Sequence, residues 1–401
     1  VHAQESAYSL LGLGEPVITA NPRIEGISSS AIALLEPRTI NDLNPATWSW
    51  ISRTRIEARL HYSTTESSQA DQTTLLHKVS FGGFAFGSPI WDKYHMSFAF
   101  GFSPVTQNNF QATKHDSASD ILYVREGGVS QLYGGVSAQV VSSLALAARF
   151  DILFGNASAK SQVIPDDQLA IPSIFERDYA TNSARGTFGL IFVADSVWPE
   201  LYGLTLGATY STAANLDITR RTILKPSNNN LDSTLEEKFS TKFPSHFGLG
   251  LSKRFGDRYR AEIDYITQDL SGISVLAPDE SSLTDSRLSK GSRYSAGIER
   301  LPVMGDEARG IGYATRIGLR LGFSYSTLPF KPDSQTGVKE MAATFGFNLP
   351  LNLESMFDFS VTLGERTPEN TAIAPTEKFI KVGCSISLSE KWFSPTKTDD
   401  D

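Results

Sequence analysis

Alternation with a period of two is the feature that most constrains this chain. Tyr94, Met96, Phe98, Phe100 and Phe102 interleave with His95, Ser97, Ala99 and Gly101. Leu144, Leu146, Ala148, Phe150, Ile152 and Phe154 interleave with Ala145, Ala147, Arg149, Asp151 and Leu153. The same pattern recurs around Ile317–Tyr325, Phe357–Leu363 and Ile380–Leu388. A spacing of two puts each set on one face of a strand. Fourteen such segments are legible, near 54–62, 76–88, 92–103, 119–140, 143–155, 183–194, 201–212, 245–255, 258–268, 291–300, 313–325, 337–348, 355–364 and 377–389. Most are near the length that a tilted strand needs to cross a bilayer.

The apolar face carries large aromatic and aliphatic groups on nearly every segment. The opposite face carries Arg55, Glu57, Arg59, Arg149, Asp151, Arg258, Arg260, Glu262, Asp264, Arg316, Arg320, Glu340, Asp358 and Lys381. A soluble sandwich would also alternate, but it would not fill its core with ions. A barrel with lipid outside and a wet or plugged lumen accommodates both faces. Short connections are expected after the even segments, as at Val141-Ser142 and Gly256-Asp257. Long polar ones are expected after the odd segments, the longest at 156–182, 213–244 and 269–290. The expected fold is therefore all-β: a 14-stranded antiparallel transmembrane β-barrel of an outer membrane, with both chain ends periplasmic. Trp48, Trp50, Trp91, Trp198 and Trp392 all map to the periplasmic interface in this scheme, where indoles are favoured.

Residues 1–52 lack the period and contain Pro16, Pro22, Pro37 and Pro45. A helical turn is expected at 31–35, after the cap candidates Ser28-Ser29-Ser30 and before Pro37. A lumen as wide as that of fourteen strands needs filling. Residues 1–52 are thus expected to be a hatch, 53–393 the barrel and 394–401 a periplasmic acidic tail. Val1-His2-Ala3 fits the end of a secretory signal peptide, with cleavage before Gln4.

Composition excludes several classes. The 36 Lys+Arg against 44 Asp+Glu give a net charge of −8, which disfavours nucleic acid as a partner. The single Cys384 can form no internal disulfide. The six histidines show no zinc-like spacing, and no phosphate-binding glycine loop precedes a helix. No cofactor, metal or catalytic residue is expected. A Ser-His pair on the outer wall, as in barrel phospholipases, and calcium at loop 278–285 have no signature to support them.

Several short motifs add to this. Gly12-Leu13-Gly14, Ala20-Asn21-Pro22-Arg23, Gly26, Ser28-Ser29-Ser30-Ala31-Ile32-Ala33 and Asn41-Asp42-Leu43-Asn44-Pro45-Ala46 resemble the N-terminal hatch of the FadL-type outer-membrane transporters. Asn44-Pro45-Ala46 is the best match and precedes the first strand, as in that family. Ser385–Leu388 through Trp392-Phe393 resembles its last strand. The chain departs from the family pattern at Thr47, where many members have glycine, and at Ile27-Ser28-Ser29, where many have Met-Gly-Gly. The resemblance implies capture of long-chain fatty acids or other hydrophobic small molecules and lateral exit through the wall near strand three. Relatives also include a subunit of the type IX secretion system. A structural or docking role beside an envelope protein partner therefore stands as the alternative.

Two sets of site residues follow. The phase of the second segment slips at Gly82-Gly83, as at a β-bulge, and Pro104 cannot donate to a ladder. Gly82, Gly83, Gly101 and Pro104, facing Asn44, Pro45 and Ala46, are candidates for a lateral opening; an ordinary bulge in a closed wall is the alternative. Arg55, Arg59, Arg149 and Arg316 are candidates to neutralise a substrate carboxylate. The competing reading pairs the lumen charges with the hatch through Arg23, Glu25, Glu36, Arg38 and Asp42. Surrounding lipid and lipopolysaccharide are the remaining expected partners.

Overall fold

The computed structural model describes residues 2–4, 6, 8, 14–69, 72–116, 119–166, 172–226, 233–271, 287–303 and 309–390. Gly12, Leu13, Trp392, Phe393, loop 278–285 and the tail 394–401 lie outside them. Fourteen wall strands follow one another around a closed barrel: β1 (Thr54–Gln69), β2 (Gln72–Trp91), β3 (Met96–Pro104, resumed as Thr106–Asp116), β4 (Ser119–Val141), β5 (Leu144–Pro165), β6 (Ser173–Val193), β7 (Leu204–Ser211, resumed as Ala214–Pro226), β8 (Ser233–Phe243, resumed as His246–Phe255), β9 (Tyr259–Asp269), β10 (Lys290–Arg300), β11 (Gly318–Thr327), β12 (Val338–Pro350), β13 (Met356–Pro368) and β14 (Thr376–Glu390). Every neighbouring pair is antiparallel. β14 closes the ring on β1, from Glu390↔Thr54 to Thr376↔Ser68.

Closure turns the alternation into an inside and an outside. Ile263, Ile298, Leu321, Phe323 and Leu363 point outward and are exposed, whereas Asp264, Glu299, Arg320 and Asp358 are buried. This is the arrangement a membrane barrel requires, with apolar side chains toward lipid and ionic ones enclosed.

Two of the three longest expected loops, 156–182 and 213–244, are largely strand among the described residues, and most of 269–290 lies outside them. β4, β5 and β6 contain 23, 22 and 21 residues, about twice what a bilayer crossing needs. Beyond the belt both faces meet polar surroundings, so alternation fades while the backbone ladder continues. Segment 156–182 is one such case: β5 and β6 stay paired out to Val163↔Ser173. The outer parts of β3 to β8 form a six-stranded extension on one side of the barrel. Val129, Leu153, Leu216, Ile218 and Phe243 make its buried inner cluster. At the other end of the barrel, where β1 starts and β14 stops, the connection after β10 runs from 301 to 317 and is not short.

The N-terminal segment threads the lumen. Its helix is Pro22–Glu25, not 31–35. Asn21 caps it by accepting from the Arg23 N–H at 3.0 Å, and Pro22 takes the first helical position, a stronger start signal than three serines. Ser28 and Ser29 instead adopt left-handed backbone, with φ of 55° and 59°. Asn44 caps a second short helix, the 3-10 turn Pro45–Trp50. That turn takes two tryptophans off the expected interface. Trp48 is 0% exposed and donates from its indole to the Asn41 carbonyl at 2.6 Å. Trp91 and Trp198 remain exposed at the β1-start end.

The first and last of the described residues lie at different ends of the wall. Glu390 pairs beside the start of β1. His2–Gln4 pair with Gln111–Thr113, near the opposite end of β3.

Candidate functional site

The lumen is where the polar face of the wall meets the hatch, and buried charge clusters form there, three of which hold residues 23–42. In the first, Glu299 of β10 accepts from Arg23 of the hatch at 2.8 Å, Arg260 of β9 at 2.7 Å and Arg320 of β11 at 2.9 Å. Arg23 also bonds Glu36 at 3.1 Å, and Arg320 bonds Asp358 of β13 at 2.8 Å. In the second, Arg59 of β1 bonds Asp42 at 3.1 Å, the Ile40 carbonyl at 3.1 Å and Glu57 at 3.0 Å. In the third, Asp151 of β5 holds Arg149 at 2.7 Å and Arg185 of β6 at 3.1 Å. Arg149 also donates to the Asp42 carbonyl at 2.8 Å. These are charge-assisted bonds inside a shielded space, where an unpaired partner is costly. Burial pushes the Glu36 carboxyl up, but the guanidiniums of Arg23, Arg260 and Arg38 outweigh it and hold it at about 2.

Backbone docking completes the seal. Asp264 of β9 accepts the N–H groups of Ala31 and Ile32 at 2.6 and 2.8 Å. The Asn44 amide donates to the Ile32 carbonyl at 2.7 Å and to the Leu190 carbonyl of β6 at 3.1 Å. Glycines on the wall let the hatch backbone approach. A Cβ on Gly322 would lie 2.6 Å from the Ile27 carbonyl carbon, and one on Gly297 2.7 Å from the Ile27 Cβ.

The candidate carboxylate-binding arginines therefore divide. Arg59 and Arg149 are committed to the hatch as above. Arg55 donates to the carbonyls of Pro37 at 2.9 Å and Glu354 at 3.2 Å. Arg316 is not with them: it ends the 3-10 turn Tyr313–Arg316 between β10 and β11 and donates to the Asn352 carbonyl at 3.0 Å. Extrapolating the alternation back past the start of β11 at Gly318 placed it on a strand. Sequence reasoning missed Glu299 and Arg185, since one acidic or basic residue on an alternating strand carries no sign of being a hub.

The candidate opening residues divide too. Gly82 is the extra residue of a bulge, because Arg59 faces Gly83 and Leu60 faces Phe81. Gly83 has φ of 110°, and a Cβ there would overlap the Phe102 carbonyl oxygen. A Cβ on Gly101 would lie 2.5 Å from the Phe84 carbonyl oxygen. Pro104 ends the first part of β3. These four residues cluster at one junction, where the β2–β3 ladder ends with Phe84↔Phe102. Asn44-Pro45-Ala46 does not face them. Ala46 packs on Ala145, Ala147 and Ile191 of β5 and β6, because the 3-10 turn points it there and leaves Trp48 against Ala85, Ala99 and Tyr133.

Above the hatch lies a cavity of about 240 Å³, bordered by Glu15, His61, Lys78, Gln107, Arg293 and Glu340 among others. Its lining mixes hydroxyl, amide and ionic groups with apolar ones, Val17, Ile18, Ile266, Leu328 and Phe379 among them. No group of three or more His, Cys, Asp or Glu side chains among the described residues is arranged to hold a metal ion.

The BamG family model matches residues 1–399. The chain belongs to the BamG family. Among solved structures, this family member is similar in fold to a Pseudomonas aeruginosa FadL homologue, with a TM-score of 0.65, 12% identity and coverage of 94% of this chain and 99% of that one. The Pseudomonas putida toluene transporter TodX matches with a TM-score of 0.64 at 15% identity, covering 93% and 98%. The Ralstonia pickettii toluene transporter TbuX matches with a TM-score of 0.62 at 12% identity, covering 93% and 98%. At these identities the likeness is one of fold: a FadL-type barrel with its N-terminal segment inside. No curated protein sequence matches.

Proposed function

We propose that the protein works as a closed barrel in the outer membrane of a Gram-negative bacterium, as a structural or docking subunit of a larger envelope assembly. The family name denotes a BAM-associated protein, and the BAM complex is the partner this reading assigns. The observation that carries it is the use made of the lumen cations. Arg23, Arg59, Arg149, Arg260 and Arg320 all hold carboxylates or carbonyls of the hatch and its wall. None of these five is left to receive the head group of a fatty acid. The extension of β3 to β8 supplies surface beyond the lipid belt for another protein. In this reading β14 ends on the periplasmic side, and the role involves neither nucleic acid nor catalysis.

A second reading is passive uptake of hydrophobic compounds, long-chain fatty acids among them, with lateral exit near Gly82, Gly83, Gly101 and Pro104. The end of the β2–β3 ladder at Phe84 favours it, as does the fold shared with hydrocarbon channels. One preparation separates the two. Extracted from native membrane in mild detergent, the tagged protein should carry the BAM complex in fixed ratio. Reconstituted alone, it should admit labelled oleate or toluene no faster than empty vesicles. A solitary protein that speeds uptake would overturn the docking reading.

A further inference from the structure

Three arginines converge on one carboxylate at the rim where β1 starts and β14 stops. Arg38 belongs to the hatch, Arg53 precedes β1, and Arg55 lies on the buried, inward face of that strand. Glu354 sits in the turn between β12 and β13. Its carboxylate stands 3.4 Å from Arg53, 3.6 Å from Arg55 and 3.9 Å from Arg38. Those distances are long for charge-assisted bonds, which close to 2.8 Å between Arg23 and Glu299. The neighbouring carboxylates are engaged elsewhere. Glu36, at 4.0 Å from Arg38, serves Arg23 and Arg260, and Glu57 serves Arg59.

Buried donors are left over at this point. The Nη2 of Arg55, a fully buried residue, has no hydrogen-bond acceptor among the described residues, and neither has the Nε of Arg38. The Ser389 hydroxyl, on the residue directly across the β14–β1 ladder from Arg55, is unpaired as well. The Ser389 N–H donates to the Ser355 hydroxyl at 3.1 Å, which ties it to the same turn as Glu354. Buried polar atoms are ordinarily satisfied, so three orphans around one spot mark a place made for an acceptor.

We propose that this rim site receives the carboxylates of an acidic polypeptide segment of the docked partner. The proposal rests on the docking reading for the partner and on the unpaired donors for its chemistry. Here three guanidiniums face one carboxylate, in a chain whose net charge is −8. Arg316 continues the positive strip past the same turn, where it donates to the Asn352 carbonyl at 3.0 Å. A strip suits a segment bearing several carboxylates better than a single small anion. Lipid phosphate would approach from the belt, whereas Arg55 points inward and Arg38 is part of the hatch, so the site opens on the mouth of the barrel. The side chains of Arg38 and Arg53 remain 23% and 30% exposed, which leaves them within reach of an incoming acid.

Binding of fluorescein-labelled hexaglutamate to the purified full chain in a neutral detergent, read by anisotropy at low salt, tests the site without any partner. Arg53→Glu should weaken binding about tenfold, and Glu354→Gln, which removes the competing charge, should tighten it about threefold. Heat-modifiable migration checks that both variants are folded barrels. A wild type that does not bind, or affinities that ignore both substitutions, would overturn the inference. Displacement of the peptide by phosphatidylglycerol would assign the site to lipid and overturn it too. Mild extraction from native membrane then addresses the partner. The Arg53→Glu protein should carry several-fold less BAM complex than the wild type. Undiminished BAM complex on that variant would overturn the inference and leave the docking reading intact. A wild type extracted alone would overturn the docking reading, with the peptide measurement still deciding the chemistry of the site.

Discussion

Arg23 and Glu299 are separated by 276 residues in the chain and by 2.8 Å in the lumen. One sits on the first turn of a four-residue helix and the other on β10. The pair is the centre of the bond between hatch and wall. Arg23→Ala should weaken hatch docking by about 3–5 kcal/mol, the range for breaking a buried pair from one side. Glu299→Gln should cost at least as much, since it removes the charge that three guanidiniums share. Limited proteolysis of the hatch, alongside heat-modifiable migration of the barrel, measures this.

Arg59 and Arg316 should behave differently although both stand near an alternating strand. Arg59→Ala leaves Asp42 and Glu57 without their cation and should destabilise the hatch by a few kcal/mol. Arg316→Ala loses one exposed bond and should change stability by no more than about 0.5 kcal/mol. Thermal unfolding of the two variants in one detergent makes the comparison.

The wall glycines set the hatch position by close approach. Gly322→Val would drive its side chain into the Ile27 backbone. The hatch should be displaced while the barrel still forms, because the outward face of β11 is untouched. Ion conductance in planar bilayers should rise in this variant; a silent, folded barrel would contradict the proposed packing.

Acid should loosen the hatch. The Glu36 carboxyl is held at about 2, below its ordinary 4.5. A lowered folded-state value adds stability above the unfolded value, and that stability is lost as pH falls through the folded one. The share of hatch protection against an acid-active protease that Glu36 supplies should therefore be fully present above about pH 4.5 and decline toward pH 2. Glu36→Gln should flatten that decline.

Tryptophan fluorescence distinguishes the indoles. Trp48 is fully buried, whereas Trp91 and Trp198 are about half exposed. Trp48→Phe should remove the component that aqueous quenchers do not reach. The emission of Trp91 and Trp198 should respond to brominated lipid at the interface.

Fourteen strands, their order and the inward turn of the charged face were legible because a period of two is local. Each strand must sort its own side chains between lipid and lumen, so the record is written strand by strand. The hatch was legible as a break in that period, and Arg23, Glu36 and Asp42 as its charged groups. The strand extensions were not legible, since a ladder with water on both faces needs no contrast between odd and even residues. Nor was the placing of Trp48 or Arg316, because one turn of 3-10 helix redirects a side chain that a strand would have sent elsewhere.

Local chemistry along the chain thus decided that this is a barrel with a plug and which face of each strand meets it. Only the closed tertiary structure decided which carboxylate meets which guanidinium, that Ala46 rests on β5 and β6, and that residues 2–4 and 15–16 pair with β3. Those relationships join residues on separate elements, some of them nearly the length of the barrel apart in the chain. No periodicity reports on them; they exist only once the ring is closed and its interior has a fixed shape.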